Sequence, residues 1–270
     1  MKPTFVILGC RGTMPVSGKS FVKYGGGTSC FCLKTKEGII VVDAGTGIFH
    51  LDESRREELP PAALLFTHFH LDHLMGLPFF GRFHNPKARV TLMGDVRSCG
   101  KWRSAVADLV APPYWPVPLS RLGAKVVFKD LPGGKNELEL YGVKISWCSL
   151  CHPQGCLAYR FETGKKSVAI VTDHESGRIE ADKRVADFCA GVDFLIHDAQ
   201  FTGAELKYHR GWGHSSWEQA VRMARRTDAG RLILTHHDVG RDDAQIDAIV
   251  AAARRHFSKV AAAAGGMVLF

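Results

Sequence analysis

Three histidines and one aspartate fall within six consecutive positions, as His68, His70, Asp72 and His73, directly after the apolar run Ala62–Thr67. On an extended strand end, side chains two positions apart project to the same side. His68 and His70 can therefore share one cation, while Asp72 and His73 enter the following turn and can address a second. Imidazole and carboxylate are ligands for Zn2+, with Mn2+ and Fe as alternatives. Histidines also serve as hydrogen-bonded core residues, but that role does not account for four such groups in so short a stretch.

Other candidate ligands stand at the ends of other apolar runs. His152 follows Leu138–Cys148, Asp173 follows Ser167–Thr172, and His236 follows Arg231–Thr235. Strand ends that share one edge of a fold bring together side chains from distant parts of a chain. Paired divalent ions held there would activate a water and neutralise charge on the group it attacks.

The elements that must position these residues are legible from periodicity. Strand-like runs are Thr4–Gly9, Thr28–Lys34, Gly38–Asp43, Ala62–Thr67, Arg89–Met93, Lys125–Lys129, Leu138–Cys148, Leu157–Glu162, Ser167–Thr172, Phe194–His197 and Arg231–Thr235. Helical patterns cover Val96–Leu109, Ile179–Ala190, Trp217–Thr227 and Ala244–His256. In Trp217–Thr227 the residues Trp217, Ala220, Val221 and Ala224 share one face, Arg222, Arg225 and Arg226 the other, and Ser215-x-x-Glu218 predicts a capping box. Each half of the chain opens with several strands and closes with helices. That order predicts an α/β fold of two mixed β-sheets stacked face to face with helices outside, in one domain spanning residues 1–270.

Composition bounds the rest. The 270 residues are 46% hydrophobic and 23% charged, ordinary for a globular enzyme and against disorder. The net charge of +8 suits anionic ligands, but Arg225-Arg226, Arg254-Arg255 and Lys165-Lys166 read as solvated faces and not as a nucleic-acid patch. Eight irregularly spaced cysteines fit reduced thiols better than a disulfide framework. The short apolar run Phe5–Leu8 reads as a first strand and not a signal peptide. No stretch approaches the length of a membrane span, and a cytoplasmic location is expected.

The segment Thr67-His68-Phe69-His70-Leu71-Asp72-His73 resembles the HxHxDH signature of the metallo-β-lactamase fold superfamily. The resemblance extends through Val41-Val42-Asp43-Ala44-Gly45, Cys151-His152, Val171-Thr172-Asp173 and Leu234-Thr235-His236, nearly the whole chain. It implies an αββα sandwich with two divalent metal ions at one edge. Carried over by motif, His68, His70 and His152 bind the first ion, Asp72, His73 and His236 the second, and Asp173 bridges them. Asp43 is implied as a support for the ligand loop.

Within that superfamily, Asp173 stands where true β-lactamases have a cysteine, and His70 is retained where diiron oxygen-reducing members carry glutamate. Glyoxalase II-like thioesterases share all seven ligands. Ile196-His197-Asp198-Ala199-Gln200-Phe201 and Gly211-Trp212-Gly213-His214-Ser215-Ser216 are similar to segments of the ribonuclease Z and PhnP-like phosphodiesterases. By that match His214 assists phosphodiester cleavage and Asp198, in place of the family's glutamate, orients it. Asp72, His214 and Asp198 are thus the candidate catalytic residues.

Ribonuclease Z carries an arm for transfer RNA between the third histidine motif and the bridging aspartate. Here His152 and Asp173 are only 21 positions apart, enough for a hairpin and no arm. The expected substrate is therefore a small or cyclic nucleotide-like phosphodiester, attacked by a metal-activated water. RNA cleavage and thioester or lactone hydrolysis are the alternatives. Gly94–Leu122, with Pro112-Pro113-Tyr114-Trp115-Pro116, is the expected substrate-side segment, and Tyr208, His209 and Trp212 are further candidates for stacking on a base. No membrane partner is expected; related enzymes pair, so a homodimer is.

Overall fold

The computed structural model describes residues 2–51, 58–97 and 99–270. Two seven-stranded sheets are formed. The first takes β1 (Thr4–Gly9), β2 (Cys30–Lys34), β3 (Ile39–Val42), β4 (Ala62–Leu65), β5 (Arg89–Gly94) and β6 (Lys125–Asp130). The second takes β7 (Glu137–Leu140), β8 (Val143–Leu150), β9 (Cys156–Glu162), β10 (Ser167–Val171), β11 (Phe194–Asp198), β12 (Arg231–Thr235) and β13 (Val260–Ala262). The last strand, β14 (Met267–Val268), returns to the first sheet beside β1. Each sheet is antiparallel on one side and parallel on the other: β3, β4, β5 and β6 run parallel, as do β10, β11, β12 and β13.

Alternation along the strands explains the stacking. Phe5, Ile7, Phe31, Leu33, Ile40, Val42 and Leu65 point inward and meet Ile145, Trp147, Tyr159, Phe161 and Ile170 in one buried core between the sheets. The intervening residues Cys30, Cys32, Val41, Leu64 and Leu92 point outward, under Trp102 and Val106 of α1 (Trp102–Leu109). The outer face of the second sheet is covered in the same way by α2 (Ile179–Phe188), α4 (Trp217–Arg226) and α5 (Asp243–Arg254), through Val185, Ala220, Ala224 and Ala253. A single turn, α3 (Gly203–Leu206), links β11 to α4. This is the αββα arrangement expected from the pattern of elements.

Near one end the sheets are joined by hydrogen bonds as well as by packing. The Tyr159 hydroxyl donates to the Phe66 carbonyl at 2.8 Å, and the Leu157 N–H donates to the Thr67 carbonyl at 3.0 Å. Both acceptors lie immediately before His68.

Several sequence expectations need correction. Leu138–Cys148 is not one strand but a hairpin, because Tyr141 and Gly142 adopt positive φ and turn the chain between β7 and β8. In Val96–Leu109 regular helix begins only at Trp102, and Ser98 lies outside the described residues. The cap of α4 is Ser216 with Gln219, not Ser215 with Glu218: the Ser216 hydroxyl accepts from the Gln219 N–H and the Gln219 side chain accepts from the Ser216 N–H. Ser215 is drawn inward, donating to the His174 carbonyl. Glu218 instead accepts from the Gly203 N–H at 2.9 Å. The C-terminal strands β13 and β14 went unread because they are too short for a period to register. All eight cysteines are free, as expected. Among the described residues no helix is long and apolar enough to cross a membrane.

Candidate metal centre

In open sheets, ligands collect beyond the carboxyl ends of parallel strands. Four of the parallel strands end this way here. The chain leaves β4 into His68, His70, Asp72 and His73; β10 leads to Asp173, β11 ends on Asp198, and β12 leads to His236. His152 follows the end of β8, and His214 sits in the loop after α3. Three of the positions that aim this edge adopt positive φ although they are not glycine: Asp43 (60°), Asp173 (56°) and His236 (61°). Such backbone is held only where surrounding contacts over-determine it, and it is concentrated at functional sites.

The side chains converge in interlocking groups. Ligand atoms of His68, His70 and His152 lie within 4.8 Å of one another, as do those of Asp72, His73 and His236. Asp173 sits between the groups: its Oδ2 is 3.2 Å from His73 Nε2, and its Oδ1 is 3.4 Å from His236 Nε2 and 3.8 Å from both His68 Nε2 and His152 Nε2. The structure thus brings together all seven residues expected as ligands.

Hydrogen bonds on the far side of the rings fix which nitrogen faces inward. His73 donates Nδ1–H to Asp43 Oδ2 at 2.7 Å. That carboxylate also accepts the Thr67 N–H and hydroxyl, both at 2.8 Å. Because the Thr67 hydroxyl proton is spent on Asp43, its oxygen accepts from His68 Nδ1 at 3.1 Å. His152 Nδ1 donates to the Gly213 carbonyl at 2.9 Å, and His236 Nδ1 to Gln200 Oε1 at 3.0 Å. Gln200 in turn donates to Thr13 Oγ1 at 3.2 Å, and the Thr13 N–H binds Asp72 Oδ2 at 2.9 Å. In each of these four histidines Nε2 is left to face the centre, the arrangement that outer partners impose on metal-binding histidines.

Two observations show that these residues fit divalent cations. Nε2 of His68 is fully buried without a hydrogen-bond partner among the described residues, a costly state for a polar atom unless something binds it, and Nε2 of His73 faces the Asp72 and Asp173 carboxylates at 3.4 and 3.2 Å. The electrostatics of the two trios also differ. Burial pushes His68, His70 and His152 below the ordinary histidine range, so they are neutral and ready to donate a lone pair. Burial opposes charge on His236 too, but Asp173, the bond to Asp72 and Asp198 outweigh it and lift the ring to about 9. His73 is raised in the same way by Asp72, Asp173 and Asp43. That field attracts positive charge.

His214 stands at the rim. Its ring stacks on His236 with centroids 4.9 Å apart and a 20° interplanar angle, and lies 5.3 Å from His152. Its Nδ1 donates to Asp198 Oδ2 at 2.8 Å. The other oxygen of Asp198 accepts the N–H groups of Gln200 and Ser215 at 3.1 and 3.2 Å. An aspartate therefore reaches the histidine without the extra methylene of glutamate, because β11 itself runs to Asp198. Burial favours the neutral acid at Asp198, yet His214 and His236 hold it below its ordinary range, so it is ionised.

Some contributors had no sequence signal strong enough to be singled out. Gln200 and Thr13 act only through contacts between distant segments. Arg11 is fully buried, with Nε donating to the Gly25 carbonyl and Nη1 to the Arg241 carbonyl, which ties the glycine-rich loop to the turn after His236. Two glycines are needed for space: a Cβ on Gly12 would lie 2.3 Å from the His236 ring, and one on Gly213, whose φ is +86°, would lie 2.0 Å from His152 Nδ1. Of the aromatic candidates for stacking on a base, Trp115 and His209 are engaged elsewhere. Trp115 packs edge-on against Phe79 at 5.2 Å, and His209 stacks on Phe201 at 4.1 Å. Tyr208 and Trp212 are exposed.

A groove of about 410 Å³ runs up to His152, lined also by Pro153, Glu175, Arg178, Arg184 and Gly211. Beside it a groove of about 460 Å³ shares Glu175 and Arg178 and adds Lys207 and Arg210.

Two stacked mixed sheets with a histidine–aspartate cluster at their common edge define a metal-dependent hydrolase. Residues 39–237 match the family described as Beta-lactamase superfamily domain, and the chain belongs to that superfamily. A ribonuclease Z from Anoxybacillus flavithermus is 32% identical over 155 residues, 54% of this chain and 50% of that protein, so the match spans half the relative's length. The metallo-β-lactamase fold protein YhfI from Bacillus subtilis superposes with a TM-score of 0.73 at 20% identity, covering 99% of both chains. A diphosphatase from the PhnP family superposes with a TM-score of 0.70 at 20% identity, covering 100% of this chain and 98% of the other. At those identities the two structures bear on fold alone.

Proposed function

We propose that this hydrolase is a phosphodiesterase acting on a small or cyclic nucleotide-like phosphodiester. The observation that carries the reading is the Asp198–His214 pair, stacked against His236 at the rim of the cluster. A thioester expels a thiolate, which leaves without protonation, whereas a phosphodiester with an alkoxide leaving group gains from a proton donor beside the ions. The ribonuclease relative, named for phosphodiester cleavage, supports the same class.

In this reading His68, His70 and His152 hold one divalent ion, and Asp72, His73 and His236 a second, with Asp173 shared. Ions bound there supply Lewis acidity toward a phosphoryl oxygen and lower the pKa of the attacking water. The remaining work falls to the chain's own groups. Asp198 is ionised and accepts Nδ1–H of His214, which fixes the tautomer and leaves Nε2 to face the substrate. With the ring protonated on both nitrogens, Nε2–H hydrogen-bonds the leaving oxygen and gives it that proton as the P–O bond breaks, and the ring ends as the neutral Nδ1–H imidazole bonded to Asp198. Asp72, held by the Thr13 N–H, keeps its carboxylate aligned with His236. Arg178, Lys207 and Arg210 give the grooves beside His152 a positive lining suited to the substrate's anionic group.

RNA cleavage is the second reading, and the ribonuclease relative favours it. Against it stands the segment between His152 and Asp173, which is filled by the β9–β10 hairpin. The purified protein is expected to bind about two transition-metal ions per chain and to hydrolyse bis(p-nitrophenyl) phosphate. His214→Ala should keep its metal and lose about 10²–10⁴ in turnover of a cyclic nucleotide, whose leaving group is an alkoxide. Hydrolysis of thioesters with no activity on any phosphodiester overturns the assignment. A panel of cyclic nucleotides, cyclic ribose phosphates and short RNA separates the two phosphodiester readings.

A further inference from the structure

Glu175 lies two residues beyond Asp173, and neither composition nor motif marks it. Its carboxylate accepts two backbone N–H groups of one loop, Gly211 at 3.0 Å on Oε1 and Gly213 at 2.9 Å on Oε2. Its own N–H donates to the Cys151 carbonyl at 2.8 Å, immediately before His152. The contacts close a circuit. The Gly213 carbonyl accepts Nδ1–H of His152, and the next residue in the chain is His214. One residue therefore spans the two, with its backbone on the segment carrying a candidate ligand and its side chain on the loop carrying the candidate proton donor.

The loop needs such a tether. Gly211 and Gly213 both have positive φ, at 83° and 86°, and Trp212 between them is exposed. Two glycines around an exposed residue leave the backbone with much freedom to lose. An ionised carboxylate accepting two N–H groups is a charge-assisted, two-point bond, which fixes orientation as well as distance. Because Gly213 approaches His152 too closely to tolerate a Cβ, a small displacement of the loop alters the partner of His152 Nδ1 and the place of His214 together.

We infer that Glu175 is a positioning residue, which sets the ring of His152 and the reach of His214 by clamping the Gly211–Gly213 loop. The part concerning His214 rests on the phosphodiesterase reading; the part concerning His152 does not.

The test uses the full-length, zinc-loaded protein with Glu175→Ala and Glu175→Gln. Zinc affinity is measured by chelator competition, turnover with a cyclic nucleotide, whose leaving group is an alkoxide, and folding by thermal melting of the metal-free chains. Loss of an outer partner of a ligand typically costs about 10–100-fold in affinity or activity. Glu175→Ala should show a loss of that size in both, and Glu175→Gln, which retains one acceptor oxygen, a smaller one. In a His214→Ala background the further loss of turnover on removing Glu175 should shrink to what weakened zinc binding alone produces, and should vanish at saturating zinc. Unchanged zinc affinity in both variants overturns the clamp on His152. A turnover loss at saturating zinc that is as large without His214 as with it overturns the action through His214. Should His214→Ala itself turn over at full rate, the phosphodiesterase mechanism falls, while the zinc measurement still decides the role of Glu175 toward His152.

Discussion

The two sheets build their shares of the metal centre in opposite ways. The first contributes four side chains from one stretch of six residues after β4, so a single turn of backbone, braced by Asp43 and Thr67, sets their geometry. The second contributes His152, Asp173, Asp198, His214 and His236 from separate strand ends and one loop, each braced by a different partner. A contiguous motif can form its geometry locally, whereas the dispersed set exists only when β8, β10, β11 and β12 are in register. The first half therefore supplies a binding motif, and the second decides whether the motif becomes a centre.

Substitutions can break that contrast, and the largest effect is expected at Asp173. It reaches rings from both halves, so Asp173→Asn should lower zinc content and turnover by more than the roughly 100-fold upper range for an outer partner. Retention of both ions, read by elemental analysis, would mean that the contiguous motif suffices. Next come the braces themselves. Asp43→Asn disturbs the contiguous set and Gln200→Leu the dispersed one, and each should weaken zinc binding by about 10–100-fold in chelator competition. A loss confined to Asp43→Asn would restrict organisation by outer partners to the first half.

Gly213→Ala sharpens the comparison further. A residue forced into this backbone typically costs about 1–3 kcal/mol, and here the added methyl also meets His152. Thermal melting should record that loss together with weakened zinc binding. The corresponding crowding in the first half, at Gly45 beneath Asp72, involves the Asp72 and Ser29 carbonyls and the Thr28 hydroxyl, and no histidine ring. The smallest effect tests a local element of the second half. Ser216→Ala removes the cap of α4 and should cost about 1 kcal/mol with zinc affinity unchanged, since capping is independent of the cluster. Glu218→Ala, which leaves the cap intact, should cost less.

The same contrast explains what could be read in the sequence. His68, His70, Asp72 and His73 announce themselves by spacing, and resemblance of short motifs brings in His152, Asp173 and His236. The two stacked sheets and the outer helices follow from alternation and amphipathic faces, as in Phe31/Leu33 against Cys30/Cys32, whereas the order of strands within each sheet does not. What stayed hidden is tertiary. Gln200, Thr13 and Arg11 act by bonding across segments far apart in the chain, and no local pattern records such a pairing. The misplaced cap is a different failure. Ser215-x-x-Glu218 and Ser216-x-x-Gln219 are equally good signals one residue apart, and the choice is made by the His174 carbonyl and the Asp198 carboxylate, which draw Ser215 inward.

The hydrogen bonds from Tyr159 and Leu157 to the carbonyls of Phe66 and Thr67 make the sandwich mechanically unequal along its length. At that end the gap between the sheets has a fixed rivet. At the opposite end, around Leu138, Leu140 and Tyr141, only partly buried apolar contacts close it. Thermal breathing should therefore open the two layers like a book from the Tyr141 end, with the spine at the metal edge. The Leu157 amide should then be among the slowest to exchange with solvent, so the spacing between the two ligand sets is buffered against motions that loosen the rest of the core.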